Sequence, residues 1–291
     1  SLVPNNYENP DFNLIFTGAS NAFGVGSSNN NNTIPSLIQK EFAENNIKIN
    51  FYNLAIRGTQ SFQEFQRLYE FLTLSDKKID LVISLSMRND ADFASYQNDL
   101  KYSLLPKYSH ELTKKINKIF GHELYVNNSI YFKNKLLDNF YLFDVFYKNF
   151  RVFTKIENYK PVKSLKNINF ENIKEKTTIS AKNYDLMFTT SKMFGADYML
   201  LPQPLSYTKK LTTDEKKCFY FDEKSMKYQV AFYKELFKKI NNKKYFYNIS
   251  NIFDNDHKDI YVDCCHFNDR GAKIIAKKIY EIIQNDYNFI N

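Results

Sequence analysis

Short apolar runs alternate with stretches of helical period at both ends of the chain. Residues 13–17 form an apolar run that stops at Gly18, which predicts a buried strand followed by a turn. Thr33 is the expected N-cap of a following helix with Pro35 in its first turn, and Leu37, Ile38 and Phe42 supply an apolar face. Residues 47–54 read as a second strand, and Phe62, Phe65, Leu68, Tyr69 and Leu72 fall at helical spacing over 61–74. A third strand is expected at 80–86. After residue 92 the alternation stops; residues 93–180 read as mostly helical. It resumes with a helix near 181–194, a strand at 197–201, a helix at 223–241 and a strand at 245–249. A final helix starts near Asp269 and carries Ile274, Ile275, Ile279 and Ile282.

Five short strands separated by helices imply a parallel sheet covered on both faces, with right-handed crossovers. The expected organisation is an α/β core of residues 1–92 and 181–291, interrupted by an insertion at 93–180. In such sheets ligands bind beyond the carboxyl ends of the strands. Polar residues collect there. The first strand runs into Gly18-Ala19-Ser20-Asn21, the second into Asn53 through Gly58, and the third into Ser86-Met87-Arg88-Asn89-Asp90. The loop before the last helix reads Asp263-Cys264-Cys265-His266-Phe267-Asn268.

These blocks resemble, in order, the four named blocks of the SGNH (GDSL-like) hydrolases and acyltransferases. The Ser block is Gly18-Ala19-Ser20 with Phe23-Gly24-Val25-Gly26, the Gly block is Asn53 to Gly58, the Asn block is Arg88-Asn89-Asp90, and the His block is Asp263 to Gly271. The resemblance covers about two thirds of the chain, leaving out 93–180. It implies a three-layer α/β/α sandwich with a five-stranded parallel sheet, flavodoxin-like in its winding. Two positions depart from the family. Ala19 stands where Asp is usual, and Met87 stands two residues before the block Asn, where Gly is frequent.

By this resemblance Ser20, Asp263 and His266 are the expected catalytic triad. A serine hydroxyl needs an adjacent base. His266 would take its proton, and Asp263 would orient the imidazole and stabilise its charge. The backbone N–H groups of Ser20 and Gly58 and the side-chain amide of Asn89 are the expected oxyanion donors. Taken singly, each residue also suits a cap, a turn or a strand end. His257, among Asp254, Asp256 and Asp259, competes with His266 but lacks the apolar helix that follows the latter; His110 and His122 match no block. The expected activity is acyl-ester hydrolysis or O-acyl transfer through an acyl-serine. Its expected substrates are acylated carbohydrates or small esters, with O-acetyl groups on a carbohydrate or cell-envelope polymer preferred by analogy. A non-catalytic glycan- or partner-binding module and a longer-chain lipase are the alternatives.

Charge modifies this picture in one place. The chain carries a net charge of +8, and residues 101–180, with 15 Lys and Arg against 7 Asp and Glu, hold all of the excess. That segment suits an anionic polymer or lipid surface. No nucleic-acid-binding motif accompanies it. Nine aromatic residues between Tyr131 and Phe153 include Phe140, Phe143, Tyr147 and Phe150 at helical spacing, either packing on the core or forming a lid beside the site. Three cysteines, Cys218, Cys264 and Cys265, make no disulfide framework, and no metal or cofactor is expected. No apolar run is long enough for a transmembrane segment. The start at Ser1 suggests an upstream signal or anchor removed from a bacterial cell-envelope protein.

Overall fold

The computed structural model describes residues 6–96, 170–218 and 223–287. The chain divides into two units, residues 1–107 with 167–291 and residues 108–166; every described residue belongs to the first. The aromatic helical face and most of the basic segment lie outside the described residues.

Four strands form one parallel sheet in the order β2-β1-β3-β4: β1 (Phe12–Gly18), β2 (Ile49–Asn53), β3 (Leu81–Ser86) and β4 (Asp197–Pro202). The helices are α1 (Ser20–Phe23), α2 (Ile34–Glu44), α3 (Ser61–Leu74), α4 (Arg88–Tyr96), α5 (Ile173–Met193), α6 (Thr213–Cys218), α7 (Glu223–Ile240) and α8 (Asp269–Asp286). The helix expected near 181–194 therefore starts at Ile173.

Both sheet faces are dry, and the period of two along each strand sorts the residues. Leu14 and Phe16 of β1, Ile83 and Leu85 of β3 and Met199 of β4 share a cluster with Ile38 and Phe42 of α2 and Ile275 and Ile279 of α8. Their neighbours Ile15, Val82, Tyr198 and Leu200 share another with Leu68 of α3, Tyr184 of α5 and Phe232 of α7. The result is the three-layer α/β/α arrangement expected. Each fully buried apolar side chain of this kind contributes about 1.5–3 kcal/mol, which is why continuous apolar strands are tolerated here.

Among the described residues the sheet has four strands rather than five. The segment expected as a strand at 245–249 makes one parallel bridge, Leu200 with Phe246. Leu200 N donates to Tyr245 O at 2.7 Å and Tyr247 N to Leu200 O at 2.9 Å. Turns consume the rest: Phe246 N donates to Lys243 O at 3.0 Å, and Asn248 Oδ1 accepts from Ser250 N at 3.0 Å. Ile249 still enters the core, so the apolar pattern is real while the ladder is not. Thr33 occupies the N-cap position of α2, but its hydroxyl donates back to Asn30 O at 3.0 Å and does not cap the helix.

Chain order explains where a ligand can sit. From β1 the chain moves to β2 on one side and then crosses to β3 on the other. The loops after β1 and β3 thus diverge around a crevice at the carboxyl edge. No helix among the described residues is long and apolar enough to cross a membrane.

Candidate active site

Ser20 opens α1 directly beyond β1, partly exposed. Ala19 beside it is 5% exposed, so the position that usually carries Asp in the resembling family is here a small apolar contact. Gly18 O accepts from Ile56 N at 3.2 Å and from Thr59 Oγ1 at 3.2 Å, tying the Ser block to the loop after β2. That loop turns at Gly58, whose φ of +76° suits a residue without Cβ. Asn53 Nδ2 adds a bond to Ala22 O at 3.0 Å.

The loop after β3 joins the same edge. Asn89 Nδ2 donates to Thr59 O at 2.8 Å, one residue beyond Gly58. A primary amide has two N–H groups, so this bond fixes the side chain and leaves a second donor. Met87, which stands where Gly is frequent, has φ of +82° and is 1% exposed. The backbone keeps the left-handed bend that Gly would adopt cheaply, and the buried Met side chain offsets a strain of about 1–3 kcal/mol.

Asp263 and His266 are brought into direct contact. The loop closes on itself: Val262 N donates to His266 O at 2.9 Å and Asn268 N to Ile260 O at 2.7 Å. Asn268 Oδ1 then caps α8 by accepting from Gly271 N at 3.0 Å. Within this loop His266 Nδ1 lies 2.6 Å from Asp263 Oδ2, while Asp263 Oδ1 accepts from the N–H of Cys265 at 2.9 Å and of His266 at 2.8 Å. Burial pushes the Asp263 carboxyl up. The His266 hydrogen bond, the two backbone N–H groups and the imidazole charge outweigh it and hold the carboxyl well below the usual carboxylate range. Asp263 is an ionised acceptor around neutral pH, the form needed to orient an imidazole and stabilise its protonated state.

Ser20 and His266 share no hydrogen bond in this structure; their loops are joined by the neighbour of each. Asn21, 3% exposed, donates through Nδ2 to Cys265 O at 2.7 Å and accepts through Oδ1 from Phe267 N at 3.0 Å. One amide therefore grips the backbone on both sides of His266 from the residue after Ser20. Gly26 completes the fit. Its φ is +97°, and a Cβ there would fall 2.1 Å from Phe267 O and 3.3 Å from His266 Cβ. Asp269 adds a further tie, accepting from Ser28 N at 2.8 Å, Ser28 Oγ at 2.6 Å and Asn32 Nδ2 at 2.8 Å.

Several supporting residues escaped sequence reasoning. Asn21 was visible only as one more polar residue after a strand. Glu215 anchors the approach to the Asp263 loop: its Oε1 accepts from Ile260 N at 2.9 Å and Tyr261 N at 3.2 Å, and its Oε2 from Lys209 Nζ at 2.6 Å. Both side chains of that ion pair are fully enclosed. Burial raises the Glu215 carboxyl, but Lys209 and the backbone N–H groups win and lower it. Gln203 Nε2 and Ser206 Oγ hold the carbonyls of Cys265 and Cys264 at 3.2 and 2.6 Å. Nothing in a single sequence couples these residues to residue 266. His257 is exposed. His110 and His122 lie outside the described residues.

No family model matches the chain, and no curated protein matches it in sequence. Among solved structures, a lipase from a goat rumen metagenome is 13% identical with a TM-score of 0.50, spanning 93% of this chain and 96% of the lipase. An acetyl xylan esterase is 14% identical with a TM-score of 0.47, spanning 94% of this chain and 100% of its own. A GDSL-like lipase from Bacteroides thetaiotaomicron is 13% identical with a TM-score of 0.47, spanning 94% and 88%. The likeness to the goat rumen lipase is one of fold: the two chains share their overall α/β architecture.

Proposed function

We propose that the chain is a serine-dependent acyl-ester hydrolase, with Ser20 as nucleophile, His266 as general base and Asp263 as its orienting carboxylate. The observation that carries this reading is the Asn21 grip on the backbone flanking His266, at 2.7 and 3.0 Å. It ties the residue next to the hydroxyl to both neighbours of the imidazole. The shared lipase fold adds support.

In this reading Asp263 takes up Nδ1 of His266, so Nε2 is the nitrogen that accepts the Ser20 proton as Oγ attacks the acyl carbonyl. The tetrahedral oxyanion is met by the N–H groups of Ser20 and Gly58 and by the second amide N–H of Asn89. His266 then returns the proton to the departing alcohol, leaving an acyl-serine. Water, activated by the same imidazole, releases the acid and regenerates Ser20. An acceptor hydroxyl in place of water would give O-acyl transfer from the same intermediate. The substrate class we favour is small acyl groups, O-acetyl above all, on a carbohydrate or envelope polymer; this rests on the family resemblance and the blocks that carry it.

Labelling with a fluorophosphonate followed by peptide mapping tests the mechanism. A single adduct at Ser20, lost in His266→Ala, is the expected result; an unlabelled protein, or an adduct elsewhere, refutes it. Esters of graded chain length test the substrate class, with acetate expected to outpace octanoate in kcat/KM.

A further inference from the structure

The triad loop contains two adjacent thiols that the esterase chemistry does not use. Cys264 and Cys265 are both free, Cys264 partly exposed and Cys265 8% exposed. Cys265 Sγ lies 3.6 Å from Nδ1 and 3.8 Å from Nε2 of His266, against the ring. Both sulfurs and the Asp263 carboxylate lie within 4.8 Å of one another. The side chain of Arg88, paired with Asp92 at 3.7 Å, bears on both thiols and favours their thiolates, while Asp263 opposes them.

We propose that Cys264 and Cys265 are a modification site for hydroperoxides, closing to a vicinal disulfide that displaces His266 and reversibly switches the site off. The proposal rests on the serine-esterase reading and adds regulation to it. Cys264 is partly exposed and Cys265 is buried, so peroxide reaches the Cys264 sulfur first, and the hydrogen bond from Cys265 and the charge of Arg88 favour its thiolate. Cys264 is thus the attacking thiolate and Cys265 the resolving thiol. The Cys264 sulfur attacks one oxygen of hydrogen peroxide. The O–O bond breaks, and hydroxide leaves to become water with the proton Cys264 had released. Cys265 sulfur then attacks the resulting sulfenic acid; the S–S bond forms, the S–O bond breaks, and a second water departs with the Cys265 proton. The two thiols supply the two electrons that reduce the peroxide.

Geometry explains why this would act on catalysis. Adjacent Cα atoms across a trans peptide are about 3.8 Å apart, below the roughly 4.4–6.8 Å of ordinary disulfides. Closing the ring therefore strains and turns the 264–265 peptide, and a strained disulfide is readily reduced. The groups of that peptide are all committed. Cys264 O accepts from Ser206 Oγ at 2.6 Å, and Cys265 N donates to Asp263 Oδ1 at 2.9 Å. The next carbonyl, Cys265 O, is the one held by Asn21 at 2.7 Å. Turning the peptide pulls on Asp263 and on the Asn21 grip together.

Peroxide treatment of the full chain, with peptide mapping and fluorophosphonate labelling, tests the proposal. The peptide holding residues 264 and 265 is expected to lose two hydrogens, and Ser20 labelling to slow by about 10²-fold, the usual cost of a displaced catalytic group. Dithiothreitol should restore both. Cys264→Ser is expected to label at the reduced wild-type rate and to keep that rate after peroxide. Absence of the 264–265 disulfide, a disulfide through Cys218 instead, or a disulfide that leaves labelling unchanged would overturn the switch. So would peroxide slowing Cys264→Ser as strongly as the wild type. A reduced wild type that takes no label at Ser20 refutes the esterase reading itself, and the mass map still reports separately on the dithiol.

Discussion

Asp263 and Glu64 are two carboxylates near the carboxyl edge of one sheet, and their surroundings drive them in opposite directions. Asp263 faces an imidazole and two backbone N–H groups, which hold it ionised against the cost of burial. Glu64, on α3 and 2% exposed, receives the hydroxyls of Ser86 at 2.7 Å and Ser84 at 3.2 Å, with the Asp90 carboxyl as a like-charged neighbour. Burial dominates there and pushes Glu64 up to about 8, Ser86 opposing and Asp90 adding. Asp90 is also raised by burial, although Ser61 N at 2.9 Å and Tyr184 OH at 2.7 Å donate to it. The contrast separates a carboxylate equipped to stabilise a developing positive charge from a protonated acid that braces the turn carrying Asn89. Position along the sheet edge does not distinguish them; the supply of N–H donors and an imidazole does.

The sharpest way to break the contrast is to neutralise each carboxyl in turn. Asp263→Asn is expected to lower kcat on the order of 10⁴-fold and to lose part of the stability that the folded chain draws from the ionised carboxylate at neutral pH; steady-state assays on an activated acetate ester with folding checked by circular dichroism read this, and a loss below tenfold would remove Asp263 from its role. Asn89→Ala, which deletes one of the proposed oxyanion donors, should cost about 10²–10³-fold in kcat, measured in the same assay with folding checked by circular dichroism. Asn21→Ala leaves the buried Phe267 N–H unpaired and loosens the His266 loop. It should cost about 10–10²-fold in kcat and about 1–3 kcal/mol in urea unfolding, and intact activity would show that the grip is dispensable.

Glu64→Gln should change kcat at neutral pH by less than about twofold, because the native side chain is already protonated there. Its effect belongs to stability. The folded-state value is raised above 4.5, to about 8, so the unfolded chain loses the proton first as pH rises. The Glu64 contribution is fully present below about 4.5 and is lost between about 4.5 and 8. Glu64→Gln should flatten the fall in stability across that window, making the variant the more stable protein at pH 8 in urea titrations. Equal pH slopes for the two proteins would show that Glu64 is not held neutral.

How far the chain could be read follows from where each signal lives. Strand and helix order around the core was legible because burial imposes its period locally: Ser61–Leu74 and Leu81–Ser86 lie where the pattern puts them. The apolar spacing of 245–249 predicts a fifth strand, and its failure to form one was not legible, because turn bonds at Lys243 and Asn248 compete for its backbone and apolar spacing carries no record of them. Asp263 and His266 could be paired in advance because they stand three positions apart within one block of the family resemblance. Asn21 and Glu215 could not, since their partners lie 244–246 and 45–46 residues away and are backbone groups without sequence identity. Met87 is a mixed case: the departure from Gly was visible, while the retained φ of +82° was not.

The central claim is that the Ser20 hydroxyl and the His266 imidazole work on one substrate atom. A crystal structure of the protein inactivated with a small alkyl phosphonate tests it most directly. Phosphorus is expected bonded to Ser20 Oγ, with one phosphonyl oxygen within hydrogen-bond reach of Asn89 Nδ2 and Gly58 N and with His266 Nε2 beside Oγ. Phosphorus on another residue, or an imidazole that stays out of reach of the Ser20 adduct, would contradict it.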